Sequence, residues 1–352
     1  MKNEDLFIKG ASMMVHVQKK ASCVFFAVFL MLAHGLYAQR QRPVIITLAS
    51  ALPRNSTWGK SLDRIAADWI RLSNGEVTLR ILHQYPGSEG EYMMKLRQDK
   101  IQAAVFTSVA LNSIAPEVMA LSIPLFIRNN GELDAVLREV RPILDSKIEE
   151  KGLVNLAWAK AGWVKIFSRT PVRVPNDLRR LRVATSPDEK ELFDAFESMR
   201  FQMVGVTISD TVQFLNSGKI DAIYQSPVSV NAYQLYRVAN NMCTVNIAPF
   251  MGGILMSKIG WDRVPDRHKP ALREVIRQAG LEFENSFQRS EEEAVADMRR
   301  NNIIINTITP QEEEEWYRDI GSYIPGLVEK NIFNREMYQR IVGILENYRR
   351  GR

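Results

Sequence analysis

From Val44 onward, short apolar runs alternate with amphipathic stretches. Val44-Ile-Ile-Thr-Leu-Ala-Ser50 is apolar and of strand length, and Ala51-Leu52-Pro53 breaks it. A helix is predicted next. Asn55 or Ser56 is placed to cap it, Trp58, Leu62, Ile65, Ala66, Trp69 and Ile70 recur at helical spacing, and Gly75 ends it. Val77, Leu79 and Ile81 then alternate with polar residues as a strand does, and Ser88-Glu-Gly-Glu91 has the form of a capping box for the following helix. Ile101 to Phe106 reads as another strand. Strands alternating with helices in this way predict an α/β fold with a largely parallel sheet.

The same unit recurs further along. Leu96-Arg-Gln-Asp-Lys-Ile-Gln-Ala103 and Leu215-Asn-Ser-Gly-Lys-Ile-Asp-Ala222 share Leu, Lys, Ile and Ala at identical spacing. Each segment closes an amphipathic helix and opens a strand, and each strand runs to a hydroxyl residue, Thr107-Ser108 in one and Ser226 in the other. Two such units more than a hundred residues apart predict two similar lobes. Between them Leu153 to Ala159, Val164 to Ser168 and Leu181 to Thr185 read as strands. Cys243 to Ala248 and Ile254 to Ser257 add two more, and some of these strands must cross between the lobes. Asp266 to Asn301 is helical throughout, interrupted only by Gly280, and at about 1.5 Å per residue would be roughly 50 Å long, enough to run along both lobes. The expected organisation is residues 44–161 with 250–285 as lobe I, 162–249 with 286–330 as lobe II, and 331–352 as a C-terminal helix. A hinge between lobes needs connecting elements of this kind.

Ahead of this region, Lys19-Lys20 precede an apolar run from Ala21 to Leu36, which ends at Tyr37-Ala38 before the polar Gln39-Arg40. Residues 1–38 therefore read as a secretory signal peptide cleaved after Ala38, with translation starting at Met13 or Met14 and an uncleaved anchor as the alternative. The periplasm is the expected destination. Cys23 opens the apolar run instead of following it, so lipidation is not expected. Cys243 is then the only remaining thiol, and no disulfide can form within the chain. The roughly 310 residues beyond Ala38 must hold together by core packing, which a chain of that length can supply.

Charge adds little. The net charge is +6, and removing residues 1–38, with four Lys against one Glu and one Asp, leaves +4. Basic residues are interspersed with acidic ones, without the basic stripe that nucleic-acid binding needs. Tyr348-Arg-Arg-Gly-Arg352 reads as a frayed helix end. His83 and His268 have no partners at metal-ligand spacing, Trp58-Gly59-Lys60-Ser61 lacks the first glycine of a phosphate-binding loop, and no Gly-x-Ser-x-Gly motif occurs. Acid pairs such as Glu149-Glu150 read as solvated helix faces. No cofactor, metal or catalytic group is expected.

Taken in order, several short motifs make the chain similar to the solute-binding subunits of tripartite ATP-independent periplasmic (TRAP) transporters. They are Ala49 to Pro53 with Trp58, Gly87-Ser-Glu89, the strand ending at Ser108, Ile123-Pro-Leu-Phe126, and Lys151-Gly-Leu153 before Ala157-Trp158. Pro171-Val172, Pro175-x-Asp177-Leu178, Leu215-x-x-Gly-Lys-Ile-Asp221 and Met256-Ser-Lys258 before Trp261 complete the series. The resemblance implies a periplasmic-binding-protein-like fold, two α/β lobes with a central cleft, hinge strands and a long lobe-spanning helix. It also implies a small-molecule ligand captured by lobe closure and passed to membrane permease subunits, without ATP. An accessory periplasmic protein is a further candidate partner, and a ligand sensor is the alternative role.

The chain departs from this family where the ligand would sit. The resemblance implies a strand Asp-Leu-Lys-Gly-Leu-Lys-Ile-Arg whose final Arg forks onto a ligand carboxylate, but here the stretch is Asp177-Leu-Arg-Arg-Leu-Arg-Val-Ala184. A second implied Arg is Val164, and an implied Asn falls at Gln225. An Arg–carboxylate fork contributes about 1.5–3 kcal/mol, and a buried carboxylate without it costs more than that. Ala184 and Val164 thus predict an apolar or amphipathic ligand in a cleft lined by Trp58, Phe106, Phe126, Trp163, Tyr224 and Phe250, with Ser108 nearby. Trp163 and Phe250 follow strand ends beside the hinge. Burying about 200 Å² of apolar surface would supply about 5 kcal/mol without an ion pair. The competing expectation is an organic acid held by Arg182, which shares a strand face with Ala184.

Overall fold

The computed structural model describes residues 42–351, so the segment read as a signal peptide, and Cys23 within it, lie outside the described residues. Among the described residues the fold begins at Val44. Its strands are β1 (Val44–Ala49), β2 (Val77–Leu82), β3 (Ala103–Thr107), β4 (Leu153–Ser168), β5 (Arg182–Thr185), β6 (Gln202–Gly205), β7 (Ala222–Gln225), β8 (Asn241–Cys243), β9 (Ala248–Ser257) and β10 (Ile304–Asn306). They run in the order β2-β1-β3-β9-β4-β7-β5-β6, with β8 against β4 and β10 against β8.

Two parallel triplets lie at either end of this order. β1 pairs in parallel with β2 and β3, and β5 does the same with β6 and β7. Parallel neighbours need crossover connections, which accounts for the strand–helix alternation legible in the sequence. Between the triplets lie two antiparallel strands. β9 takes up β3, β4 takes up β7, and β4 and β9 pair with each other from Leu153–Ser257 to Val164–Ala248.

The doubled unit is real in detail. Asp99 and Gly218, at equivalent positions, both adopt left-handed backbone with φ of 55° and 67°. The next residue, Lys100 or Lys219, donates its N–H to Lys95 O or Phe214 O, 2.9 Å in each case. Two residues on, Gln102 Oε1 accepts from Thr47 N at 3.0 Å and Asp221 Oδ2 from Arg182 N at 3.1 Å. Each side chain thereby ties the new strand to the strand beside it.

The helix expected over Asp266 to Asn301 spans Lys269–Arg300, about 48 Å at 1.5 Å per residue. Its Leu272, Ile276 and Ala279 pack with Leu62, Ile65 and Trp69 of the first half. Met298 packs with Leu215, Ile223 and Val230 of the second. Gly280 lets it press onto β4, since a Cβ there would lie 3.2 Å from Trp158 O.

Three expectations need correction. Leu153 to Ala159 and Val164 to Ser168 are one strand, carried through by a register shift between Lys160 and Trp163 with Gly162 at φ +86°. Residues 244–247 are not strand, because β8 stops at Cys243 to pair with β10 and β9 begins at Ala248. The basic tail is not frayed. Helix Arg335–Arg350 carries Arg349, whose guanidinium grips both carboxylate oxygens of buried Glu132 at 2.9 Å and the Phe126 carbonyl at 3.0 Å.

Candidate ligand-binding cleft

The C-terminal ends of parallel strands are where open α/β sheets place ligands. Here β3 ends at Thr107, opposite Gly252 of β9, and β7 ends at Gln225, opposite Lys165 of β4. Both triplets therefore point their C-terminal ends towards the stretch where β4 and β9 cross between them.

A cavity of about 260 Å³ opens at the ends of β5, β6 and β7. Ala184, Val206, Ile208, Ile223 and Leu235 give it an apolar wall, while Thr185, Thr207, Tyr224 and Gln225 add polar atoms. Asp188 is the one charged residue among those lining it. Tyr224 stacks edge-on against Phe196, with centroids 5.3 Å apart. Burial lifts its phenol well above the ordinary range, and the nearby charge of Glu189 adds to that.

Two further carboxyl groups crowd this end of the molecule. Glu89 accepts from Thr107 N at 2.9 Å and from Thr107 Oγ1 at 3.1 Å, and Ala110 N–H also points to it. Helix Ser108–Ile114, whose N-cap Thr107 makes no side-chain cap bond, is thus capped by a carboxylate from a neighbouring element. Across the cleft Glu189 accepts from Thr185 Oγ1 at 2.9 Å. Burial raises the pKa of both Glu89 and Glu189, and the charge of Asp188 pushes each further up.

Residues 48–331 match the model of the family described as bacterial extracellular solute-binding protein, family 7. The chain belongs to that family. A relative is the C4-dicarboxylate-binding periplasmic protein of Rhodobacter capsulatus, 20% identical over 289 residues, covering 78% of this chain and 83% of that one. Among solved structures, a TRAP periplasmic solute-binding protein of Chromohalobacter salexigens with bound D-glucuronate superposes with a TM-score of 0.77 at 17% identity, covering 86% of this chain and 99% of that one. One from Sulfurospirillum deleyianum with bound succinate gives 0.75 at 20% identity, covering 86% and 100%. The expected two-lobed binding-protein fold is therefore the observed one. A family 7 protein is an extracytoplasmic binding protein serving transport with a membrane permease, and not an enzyme. No helix among the described residues is long and apolar enough to cross a membrane.

Within this family 7 fold, the expected site residues part company. Ala184, Tyr224 and Gln225 meet in the cavity wall. Phe106 and Ser108 flank Thr107 at the end of β3, both buried. Val164 is buried in β4 opposite Ala248, and Phe250 lies half-buried in β9 nearby. Trp163 donates its indole N–H to Asn130 Oδ1 at 2.9 Å and lines a different cavity, with Lys165 and the long helix. Trp58 packs edge-on against Phe283 of the long helix at 4.4 Å, and Phe126 stacks on Tyr338 at 5.2 Å, so neither lines the β5–β7 cavity. Arg182 stands at the start of β5, exposed, with Nε and Nη2 on Asp221 at 2.7 and 2.9 Å. Sequence reasoning missed Glu89 and Glu189. Glu89 was visible only as part of a capping box and of the Gly87-Ser-Glu89 motif, neither of which marks it as lying against β3, and its neighbour Ser88 does cap helix Glu89–Arg97 through Glu91 N.

Proposed function

We propose that this protein is exported by its N-terminal segment to the periplasm, where it captures an apolar or amphipathic organic molecule between two lobes and delivers it to a TRAP-type permease. The supporting observation is the cavity wall: no Lys, Arg or His lines it, and Ala184 stands where the family resemblance implies the carboxylate-gripping Arg. The ligands in the solved relatives, D-glucuronate and succinate, are acids. An acid here would meet Asp188 and no compensating cation, a costly burial. The organic-acid alternative through Arg182 is opposed by that residue's fork onto Asp221. The Lys160–Trp163 irregularity of β4 supports a lobe boundary at 161/162, with β9 as the second crossing. An accessory periplasmic partner fits this scheme and is testable by co-purification.

Mass spectrometry of small molecules extracted into organic solvent from the purified protein tests the ligand class. Recovery of an apolar or amphipathic compound is expected, and recovery of only a hydrophilic dicarboxylate or sugar acid would overturn the reading. Ala184→Arg should in turn confer measurable succinate binding by calorimetry where the native protein shows none.

A further inference from the structure

The register between β5 and β7 carries into the cavity. Val183 lies opposite Ala222 and Ala184 opposite Ile223, so two residues further on the same register sets Ser186 beside Gln225. Ala184, Ile223, Ser186 and Gln225 all line the cavity. Residues two apart on a strand share a face, so the apolar pair Ala184 and Ile223 leads directly to the polar pair Ser186 and Gln225. An apolar wall with a few placed polar groups at one end is the layout that an amphipathic molecule fits.

The polarity of that end is set by what its groups already bond. Ser226 N–H donates to Gln225 Oε1 at 2.8 Å, which fixes the amide with its oxygen engaged. Both N–H donors of Gln225 Nε2 are left without a protein partner among the described residues. Ser186 Oγ accepts from Asp188 N at 3.3 Å and keeps its own proton to give. Thr185 and Thr207 differ, because their hydroxyl protons go to Glu189 Oε2 at 2.9 Å and to Asp210 Oδ2 at 2.7 Å. Asp188 is exposed and is served by solvent. The free donors of Ser186 and Gln225 are thus uncharged, and they come from two neighbouring strands.

We propose that the ligand's polar group is an uncharged carbonyl, of a ketone or an ester, whose oxygen accepts from Gln225 Nε2 and Ser186 Oγ while its apolar body lies against Ala184, Val206, Ile223 and Leu235. This rests on reading the cleft as the ligand site. A carbonyl oxygen has two lone pairs and no proton, so it takes both donors at once. A carboxylate would gain the same neutral bonds but bring its charge beside Asp188 with no cation to offset it. Where the family resemblance implies Arg, Ala184 leaves Ser186 and Gln225 to read the ligand by hydrogen-bond direction instead of charge.

Calorimetry at pH 7.5 on ligand-free protein, with 2-octanone, 2-octanol and octanoate as probes, tests this. Gln225→Glu keeps an acceptor for Ser226 N–H and replaces the amide donors by a carboxylate. It should weaken 2-octanone binding roughly tenfold, since one hydrogen bond is lost and an acceptor is left facing an acceptor. The affinity for 2-octanol should change less than about threefold, because that hydroxyl can turn its proton to the new carboxylate. Ser186→Ala should weaken 2-octanone roughly fivefold and tests the same idea without adding a charge. An unchanged ratio of 2-octanone to 2-octanol affinity in Gln225→Glu, or full 2-octanone affinity in Ser186→Ala, would overturn the carbonyl proposal and leave the amphipathic reading standing. Tighter binding of octanoate than of 2-octanone by the native protein, or binding of none of the three by folded protein, would overturn both.

Discussion

Glu89 caps a helix with its carboxylate and is held above its ordinary pKa by burial, so it works against stability once ionised. The sign follows from linkage. A native pKa above the unfolded value means the folded state holds the proton more tightly, and stability is lost as pH rises from about 4.5 through the native pKa. Glu89→Gln keeps an acceptor for Thr107 N–H and removes the buried charge. It should raise stability by about 1 kcal/mol at pH 8, with a smaller gain at pH 5, measured by urea unfolding. Cys243 is the opposite kind of residue, chemically silent. It is 1% exposed, and burial pushes its thiol up to about 11. Iodoacetamide at pH 8 should leave it unmodified in the native protein and label it fully in urea. Of the single residues, Ala184 and Gln225 could be picked out from sequence because the family resemblance implies an Arg and an Asn at their positions, and Tyr224 adjoins the second. Glu89 could not, since neither the capping box nor the Gly87-Ser-Glu89 motif shows its contact with Thr107 until β3 is folded against it.

At the scale of elements, the repeat was the most dependable signal, because local backbone chemistry generates it. Leu96 and Leu215 each close a helix, a left-handed residue turns the chain, and a side chain at the strand's start secures the neighbouring strand. The joining of two apparent strands into β4 was not legible. Residues 160–163 lose alternation because the strand shifts register there, and Gly162 makes this possible in a conformation that side chains avoid. A Cβ at Gly162 would lie 2.3 Å from a Glu291 carboxylate oxygen and 2.9 Å from the Phe287 ring, both on the long helix. Gly162→Ala should therefore cost about 1–3 kcal/mol in urea unfolding. It should also alter ligand-induced closure measured by small-angle scattering, because the disturbed point is where the lobe boundary proposed above falls on β4.

At the scale of the molecule, the C-terminal helices bind distant parts of the chain together. Arg349 grips Glu132, and Arg173 and Arg179 reach Glu312 and Asp319 on helix Pro310–Gly321. Burial alone would raise Glu132, but the Arg349 fork together with the backbone N–H and charge of Arg128 outweighs it and holds the pKa below the ordinary value. A lowered native pKa contributes stability above about 4.5 that is lost as pH falls through the native value. Arg349→Ala should cost about 1.5–3 kcal/mol near pH 7, and the gap from the native protein should narrow below pH 4 as Glu132 protonates, read by thermal unfolding across pH.

The sequence by itself determined the α/β alternation, the doubled unit, the long helix and the absence of the arginines the family resemblance implies. Each of these is written in local periodicity or in one short motif, so each survives without knowing what lies across the cleft. Only the tertiary structure decided which aromatics face the cavity, sending Trp58 and Phe126 to helix packing, and tied Arg182 to Asp221. It also set Glu89 against Thr107 at the end of β3 and Glu189 against Thr185 at the end of β5. The reason is physical: a side chain's partner and its burial are set by segments a hundred residues away, and charge in a cleft is a property of what the fold brings together.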